Sequence, residues 1–524
     1  MPPLKQYTRE QVRCHATEND IWIIIDTMVY NMSDFIDLHP GGAFPILEYA
    51  GKDATDAFYG LHRQEVLLKY ARYQIGTIVN ETPSIPLRQH GDISTVPYGE
   101  ISAFMGYKSP YYNETHFRYQ AALRKICDEL KEEAQACDSA GDRPSDEFAK
   151  KLGSYHLLAA HIGPGPWLHG LTMPGNIRGE DFDYFHDMIT HQEFARWSTP
   201  GLVAGLTGGM TISVPTVLHF GKPALKKELV PKMLSGEKRM ALAITEPYVG
   251  SDVASIRTTV TKATDGYIVN GVKKWITNGR FADYFATAVR TEKGISMLLI
   301  PRCDGVETKP IKTSYSPSAG TAYVTFDNVK VPFENLLGVE DQGFRVVLYR
   351  ITDHAAFDYY TKYTQNFNHE RFMLISQSVA VARYATEECF KWANQRKVFN
   401  KRLIDQPVIR NKLARMIAGV ESVQCWVENI AYQMCHMDYA EQADKLAGPI
   451  GLLKYQATRM MHHVSDDACQ IFGGRALTRT GMGRYVEDLQ RTYKFNAILG
   501  GSEEIMADLG VRQAIKKFPT DARL

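Results

Sequence analysis

Between residues 240 and 335 the apolar residues stop recurring at helical spacing and form short strand-like runs with turn residues between them: GYIVNGVKKWITNG, ISMLLIP and TAYVTFDNVKVP. Runs of that kind call for a sheet. On both sides the three-and-four spacing returns, in HFRYQAALRKICDEL before the block and in QSVAVARYATEECFKWANQRK after it, each the apolar stripe of an amphipathic helix. The plan is helices, sheet, helices, and 524 residues exceed what one hydrophobic core usually organises.

A smaller self-contained unit comes first. It holds the alternating run IWIIID (21–26), an HPGG turn, mixed helical segments and a closing YQIGTIV (73–79). The stretch ETPSIPLRQHGDISTVP (81–97), with repeated prolines and few apolar positions, reads as a linker. The expected divisions are a small domain over 1–80, the linker over 81–97, a helical domain over 98–238, a β domain over 239–349, a helical bundle over 365–518 and a tail over 519–524. Between the last two domains, RITDHAAFDYYTKYT (350–364) interrupts text that joins smoothly without it.

A formal net charge of +1 gives no electrostatic case for nucleic acid or an anionic membrane as partner. Small molecules and proteins are expected instead. The eight cysteines lie scattered without CxxC pairs, which fits neither a disulfide framework nor a zinc cluster and points to a reducing compartment. The start lacks a signal-type apolar core, and no run reaches the roughly 20 apolar residues of a membrane helix, so no membrane span is expected. Ala522-Arg523-Leu524 is a conservative variant of the small-basic-leucine peroxisomal address, and a peroxisomal location is expected, with cytoplasm or mitochondria as alternatives.

His39 is followed by Pro-Gly-Gly, and His62 lies 23 residues on, across a helical segment. Two neutral imidazoles on opposing helices can ligate a haem iron from both faces, leaving no open position, which suits electron transfer. Alone, HPGG reads equally as a turn with a surface histidine. YTREQVRCHATENDIWIIIDTMVYNMSDFIDLHPGG, AGKDATDAFYGLH and the IG of YQIG, however, resemble the cytochrome b5 family over residues 5–78. The resemblance implies haem b with His39 and His62 as axial ligands.

No GxGxxG or GxxxxGK[ST] follows a strand, so a nucleotide cofactor must bind by another route. The β block offers ALAITEPYVGSDVASI (241–256) and KKWITNG (273–279), whose hydroxyls, amides and indole could bond and stack on a flat polar-edged ring. By themselves they are also ordinary β turns, with Trp275 a core residue. TEPxxGSD, WITNG, RKVF, QIFGG and GGSEEI, in this order across residues 98–515, resemble the acyl-CoA dehydrogenase family. The resemblance implies that family's α-helical, β-sheet, α-helical fold behind the b5-like domain, multidomain α+β overall. It implies FAD, contacted by Thr245, Trp275 and Thr277, with Ser251 near both flavin and thioester. Arg396, Phe399, Gln470, Gly473 and Gly474 match positions that hold the FAD of a neighbouring subunit, implying a homo-oligomer, usually a tetramer. Ser502 and Glu504 match further cofactor positions. The usual GxGSD is here YVGSD, and RKVFNK carries Asn400.

Removing the α proton of a thioester needs a base, with hydrogen bonds to the carbonyl oxygen as enolate charge develops. Many relatives carry the base in a C-terminal EGTSEI stretch, which here reads GGSEEI, with Gly500 where the glutamate would stand. Isovaleryl and long-chain relatives place it on an earlier helix in an NxER-like stretch, here Asn368-His369-Glu370-Arg371. The resemblance makes Glu370 the catalytic base, with Arg371, Ser251 and Gly500 beside the substrate and the Gly500 N–H on the thioester oxygen. Taken alone, Glu370 and Arg371 are also a solvated pair near a helix start, where an acid is favoured. The 350–364 segment has no counterpart in the family pattern and is either an insertion near the acyl pocket or a translated retained intron.

The expected activity is FAD-dependent oxidation of an acyl-CoA to the 2-enoyl-CoA, with electrons leaving to electron-transfer flavoprotein, oxygen or the haem domain. The layout resembles fungal enzymes of toxin biosynthesis, which implies a specialised acyl chain. Alternatives are an acyl-CoA oxidase, a nitroalkane-oxidase-like flavoenzyme and an inactive haem- and flavin-binding scaffold.

Overall fold

The computed structural model describes residues 4–141, 143–343 and 365–524. The 350–364 segment lies outside them. The compact units follow contacts and not chain order. One comprises Met1–Gln89, Cys389–Arg410 and Cys469–Glu487, and the other His90–Glu388, Asn411–Ala468 and Asp488–Leu524.

In the first unit the N-terminal domain is built on five strands in the spatial order Lys5–Tyr7, Gln74–Ile78, Met28–Asn31, Asp20–Ile25, Ala16–Thr17. The strand period explains its two cores. Ile21, Ile23 and Ile25 face Phe35, Tyr59 and Leu67, whereas Ile24 faces Val12, Val29 and Ile78 on the opposite side. The start of the proline-rich stretch is stitched to this domain. Ile85 and Leu87 pack on its core, and the Asp26 carboxylate accepts from the Ser84 amide at 3.0 Å and its hydroxyl at 2.6 Å. In that segment the few apolar residues, and not the prolines, decide where the chain lies.

In the second unit the helix Glu114–Ala140 is started by Asn113, whose side chain accepts from the Thr115 and His116 amides, and is stopped by Gly141 at φ +69°. It packs along the helix Tyr184–Ala195. Between them the buried Arg124 guanidinium donates to Glu193 at 2.5 and 2.8 Å and to Glu100 at 2.9 Å twice. The stretch Pro200–Phe220 has the length and hydropathy of a membrane span, yet most of it is buried, and it breaks at Ser213 into two helices. It is an interior, kinked helical stretch of this unit.

The sheet expected between the helical blocks has eight strands. Seven run in the order Val306–Pro310, Ala322–Pro332, Gly266–Ile276, Thr259–Lys262, Tyr284–Arg290, Ile295–Pro301, Leu336–Leu337, and Met240–Ala243 also pairs with Tyr284–Arg290. Its core includes Val269, Phe285, Leu298 and Val324, all fully buried. Long helices follow at Gln365–Gln395, Pro407–His436 and Ala447–Phe472, then the shorter Glu503–Lys516.

Candidate functional site

Glu370 is not a solvated partner of Arg371. It lies in the second turn of the helix Gln365–Gln395 and is only 6% exposed. Burial pushes its carboxyl up to about 7, against the pull of the Arg371 and Lys454 charges. Arg371 turns elsewhere: its Nε donates to the Gly500 carbonyl at 3.0 Å and its Nη1 to the Asn368 side chain at 3.3 Å. Gly500 has φ +66°, and a Cβ there would stand 2.9 Å from Leu374 Cδ1 and 3.6 Å from the Glu370 carboxyl carbon. The empty side-chain position at 500 therefore opens onto the glutamate at 370. The two places where a carboxylate base could be carried meet at one point in space.

Lys454 closes the other side of this cleft and escaped the sequence reading. Its ammonium donates to the Gly501 carbonyl at 2.5 Å, and burial lowers it to about 8 against the pull of the Glu370 carboxylate. The available signal was a lone lysine inside the apolar helical run GPIGLLKYQATRMM. Next to it, Ser502 caps the helix Glu503–Lys516 through the Ile505 amide. Glu503 is buried 3.5 Å from Arg459, while Glu504 is exposed in the first turn, its carboxyl held down by its own amide and the Ser502 hydroxyl.

On the sheet, Thr245 and Trp275 are brought together by a bond from the Lys274 amide to the Thr245 carbonyl at 2.8 Å. A second staple lies beneath. The buried Lys273 ammonium bonds Glu246 at 2.8 Å and the Ile244 carbonyl at 3.1 Å, and Glu246 also accepts from the Arg257 and Thr258 amides. Burial brings Lys273 down to about 8, opposed by Glu246. Trp275 takes φ +65° at a register break in its strand, leaving the indole 50% exposed and not in the core. With Thr277 half-buried and Ser251 exposed nearby in sequence, the strand ends present hydroxyls and one aromatic face, a set suited to a flavin ring.

The RKVF and QIFGG segments fall in the other unit. Phe399 and Asn400, at φ +49° and +60°, form the two-residue turn between strands Lys397–Val398 and Lys401–Arg402 and hold the Phe399 ring out, 91% exposed. Arg396 anchors the base of this hairpin by accepting from the Leu403 amide at 2.7 Å. Gln470, Gly473 and Gly474 are exposed beside it, and a Cβ at either glycine would meet nothing within 4 Å. Trp392 stacked on Phe472 at 5.5 Å, with Arg475 over Trp392 at 4.8 Å, joins the two segments.

In the N-terminal domain the rings of His39 and His62 face each other with centroids 5.9 Å apart. That gap suits one ion bound at about 2 Å from a nitrogen of each. His39 Nδ1 is fixed 2.7 Å from the Gly42 carbonyl, which leaves Nε2 as its ligand atom. A Cβ on Gly41 would come within 2.8 Å of that ring, and Gly42 takes φ +80°. Burial and the His39 charge lower the His62 pKa, favouring the neutral form a ligand needs. Leu38, Phe44 and Leu61 stand more than half exposed near the pair in sequence, apolar surface that a porphyrin could cover. The residues fit a bis-histidine haem.

Four family models match the chain. The acyl-CoA dehydrogenase N-terminal, middle and C-terminal domains match residues 167–237, 241–329 and 360–515. The cytochrome b5-like heme/steroid binding domain matches 8–79. Acyl-CoA dehydrogenase apdG of Emericella nidulans is 36% identical over 82% of this chain and 98% of its own length. Acyl-CoA dehydrogenase AFT10-1 of Alternaria alternata is 33% identical over 81% of this chain and 96% of its own. A crystal structure of an acyl-CoA dehydrogenase from Geobacillus kaustophilus, 25% identical, superimposes with a TM-score of 0.66 over 78% of this chain and all of its own.

Proposed function

This chain belongs to the acyl-CoA dehydrogenase family, a family of flavin-dependent oxidoreductases, and from that premise we propose that it oxidises an acyl-CoA to the 2-enoyl-CoA with Glu370 as the α-proton base. The observation that carries the proposal is the buried Glu370 carboxyl facing the empty side-chain position of Gly500, 3.6 Å from where a Cβ would stand. FAD, when bound at Thr245, Trp275 and Thr277, supplies the N5 acceptor for the β hydride. Glu370 takes the α proton, the electron pair of that C–H bond becomes the new π bond, and the β C–H pair leaves with the hydride. The Gly500 N–H binds the thioester oxygen, where enolate charge grows, and Arg371 holds that backbone in place through the Gly500 carbonyl. Lys454 fixes the next carbonyl, Gly501, and so the turn that both groups share. Ser251 contacts the thioester side of the ring.

Arg396, Phe399, Gln470, Gly473 and Gly474 offer exposed groups with nothing of their own unit over them, which supports a homo-oligomer in which they hold a neighbour's FAD, with Ser502 and Glu504 as further contacts. Haem b held by His39 and His62 supplies a one-electron acceptor. Its domain is docked beside these segments: Arg63, next to His62, donates to the Met482 carbonyl at 3.2 Å and lies 4.5 Å over the Tyr485 ring. Lys397, next to Arg396, pairs with Asp56 at 3.0 Å on the helix Thr55–Leu61 leading to His62. This placement supports the haem domain as the first electron acceptor. The fungal relatives support a specialised acyl thioester as substrate.

The test is anaerobic mixing of the purified chain with a panel of acyl-CoAs while flavin and haem absorbance are followed. Flavin bleaching followed by haem reduction is expected with at least one thioester. In Glu370→Gln bleaching should fall at least a thousandfold, and equal bleaching would remove Glu370 from the role. Peroxide release in air would make the enzyme an oxidase. A chain that purifies without FAD would be a scaffold.

A further inference from the structure

On the side of its helix away from Gly500, the residue before the glutamate joins a cluster of side chains that the proposed reaction does not use. His161 ends the short helix Leu157–Ala160, Asp187 and His191 lie one turn apart on the helix Tyr184–Ala195, and His369 comes from the helix Gln365–Gln395. Three of the four are fully buried, and His369 is 6% exposed. His369 Nε2 is 2.7 Å from Asp187 Oδ2, and His191 Nε2 is 3.1 Å from Asp187 Oδ1. The ligand atoms of these three lie within 4.8 Å of one another, and the His161 and His191 rings are 5.0 Å apart at near right angles.

The hydrogen bonds of the cluster do not close. His161 Nδ1 is 2.8 Å from the Leu157 carbonyl, so Nδ1 carries the hydrogen and Nε2 is a bare acceptor. Among the described residues that Nε2 and His191 Nδ1 have no hydrogen-bond partner, and His191 Nε2 and Asp187 Oδ1, though 3.1 Å apart, do not meet in hydrogen-bond geometry. Buried polar atoms are nearly always paired, so several without good partners in one cluster point to a missing ligand. The other His–Asp group of this unit also has a histidine nitrogen without a partner, His186 Nε2, but its carboxylate differs. Asp183 is a helix cap that bonds His116 and His186 at 2.8–3.1 Å, and its carboxylate is fully used.

We propose that Asp187, His191 and His369, with His161 beside them, form a buried structural site for one divalent cation, with zinc the metal that imidazoles and a carboxylate select. Bound there, the ion takes one nitrogen each of His191 and His369 and the Asp187 carboxylate, and replaces the His–Asp contacts with coordination. The site has no way in for substrate. The loop at 163–167 lies over it: a Cβ on Gly163, at φ +87°, would be 2.7 Å from His369 Nε2, and the Trp167 indole holds the loop through the Gly163 carbonyl at 2.8 Å. The ion ties three helices together at the turn that carries Glu370. Successive helical residues diverge by about 100°, so His369 points into the site while Glu370 points to Gly500.

The full-length holoenzyme decides this by metal analysis, with haem iron counted separately from its absorbance. One equivalent of zinc per chain is expected after dialysis, with anomalous scattering at the zinc edge between these four residues in a crystal. Asp187→Asn with His191→Gln should lower the zinc content at least tenfold, and Asp183→Asn should leave it unchanged. Because those changes can unfold the unit, the wild-type metal content and the anomalous map stand as the independent readout. Less than a tenth of an equivalent of any divalent metal in wild type, water at the site, or zinc that survives the double substitution would overturn the proposal.

Discussion

Gly500 shows how one missing side chain shapes a site. Its φ of +66° is costly for any residue with a Cβ, by about 1–2 kcal/mol, and the added carbon would press on Leu374 at 2.9 Å. Gly500→Ala is therefore expected to shift the Gly500 amide and the Leu374 side chain, slowing flavin bleaching about tenfold or more with little change in substrate affinity. Stopped-flow bleaching across substrate concentration separates the two. For the same reason Gly500→Glu should not rescue Glu370→Gln: the backbone at 500 is set for glycine, and the space beyond it is already filled by Leu374 and the residue at 370.

At the scale of elements, two buried ion pairs hold the second unit in register. Lys273 joins the strand Gly266–Ile276 to the turn after Met240–Ala243, and Lys273→Met would strand the buried Glu246 carboxylate. A loss of about 3–5 kcal/mol is expected, with FAD lost alongside, and adding Glu246→Gln should restore most of the stability. Chemical denaturation of the three variants gives both numbers. Glu100 offers a test by pH. Burial alone would raise its carboxyl, but Arg196 and Arg124 outweigh that and hold it at about 2, below the ordinary 4.5. A carboxyl lowered on folding contributes stability that is complete above about pH 4.5 and is lost as pH falls toward 2. Arg124→Met should flatten that part of the stability curve while lowering stability at neutral pH.

Across the whole molecule, the N-terminal domain shares one compact unit with two segments of the C-terminal bundle, and Arg63 links it to them through the Met482 carbonyl and the Tyr485 ring. A cation over an aromatic ring is worth about 0.5–2 kcal/mol, and the exposed Lys397–Asp56 pair adds little. Arg63→Ala is expected to slow haem reduction severalfold after flavin bleaching, with bleaching itself and the haem content unchanged. Rapid-scan absorbance resolves the two phases.

The fold class was legible in the chain because strand and helix periods are local patterns, whereas His39 and His62 as ligands and Glu370 as base came from family resemblance and stand as proposals. The tertiary structure decided what local pattern does not carry. It buried Glu370, turned Arg371 away to the Gly500 carbonyl, exposed Trp275, and brought Lys454, Lys273 and Asp187 to partners far away in sequence. A charged residue in an apolar run looks the same in a sequence whether its partner is water or a buried carboxylate, and only the packing of distant elements sets which one it meets.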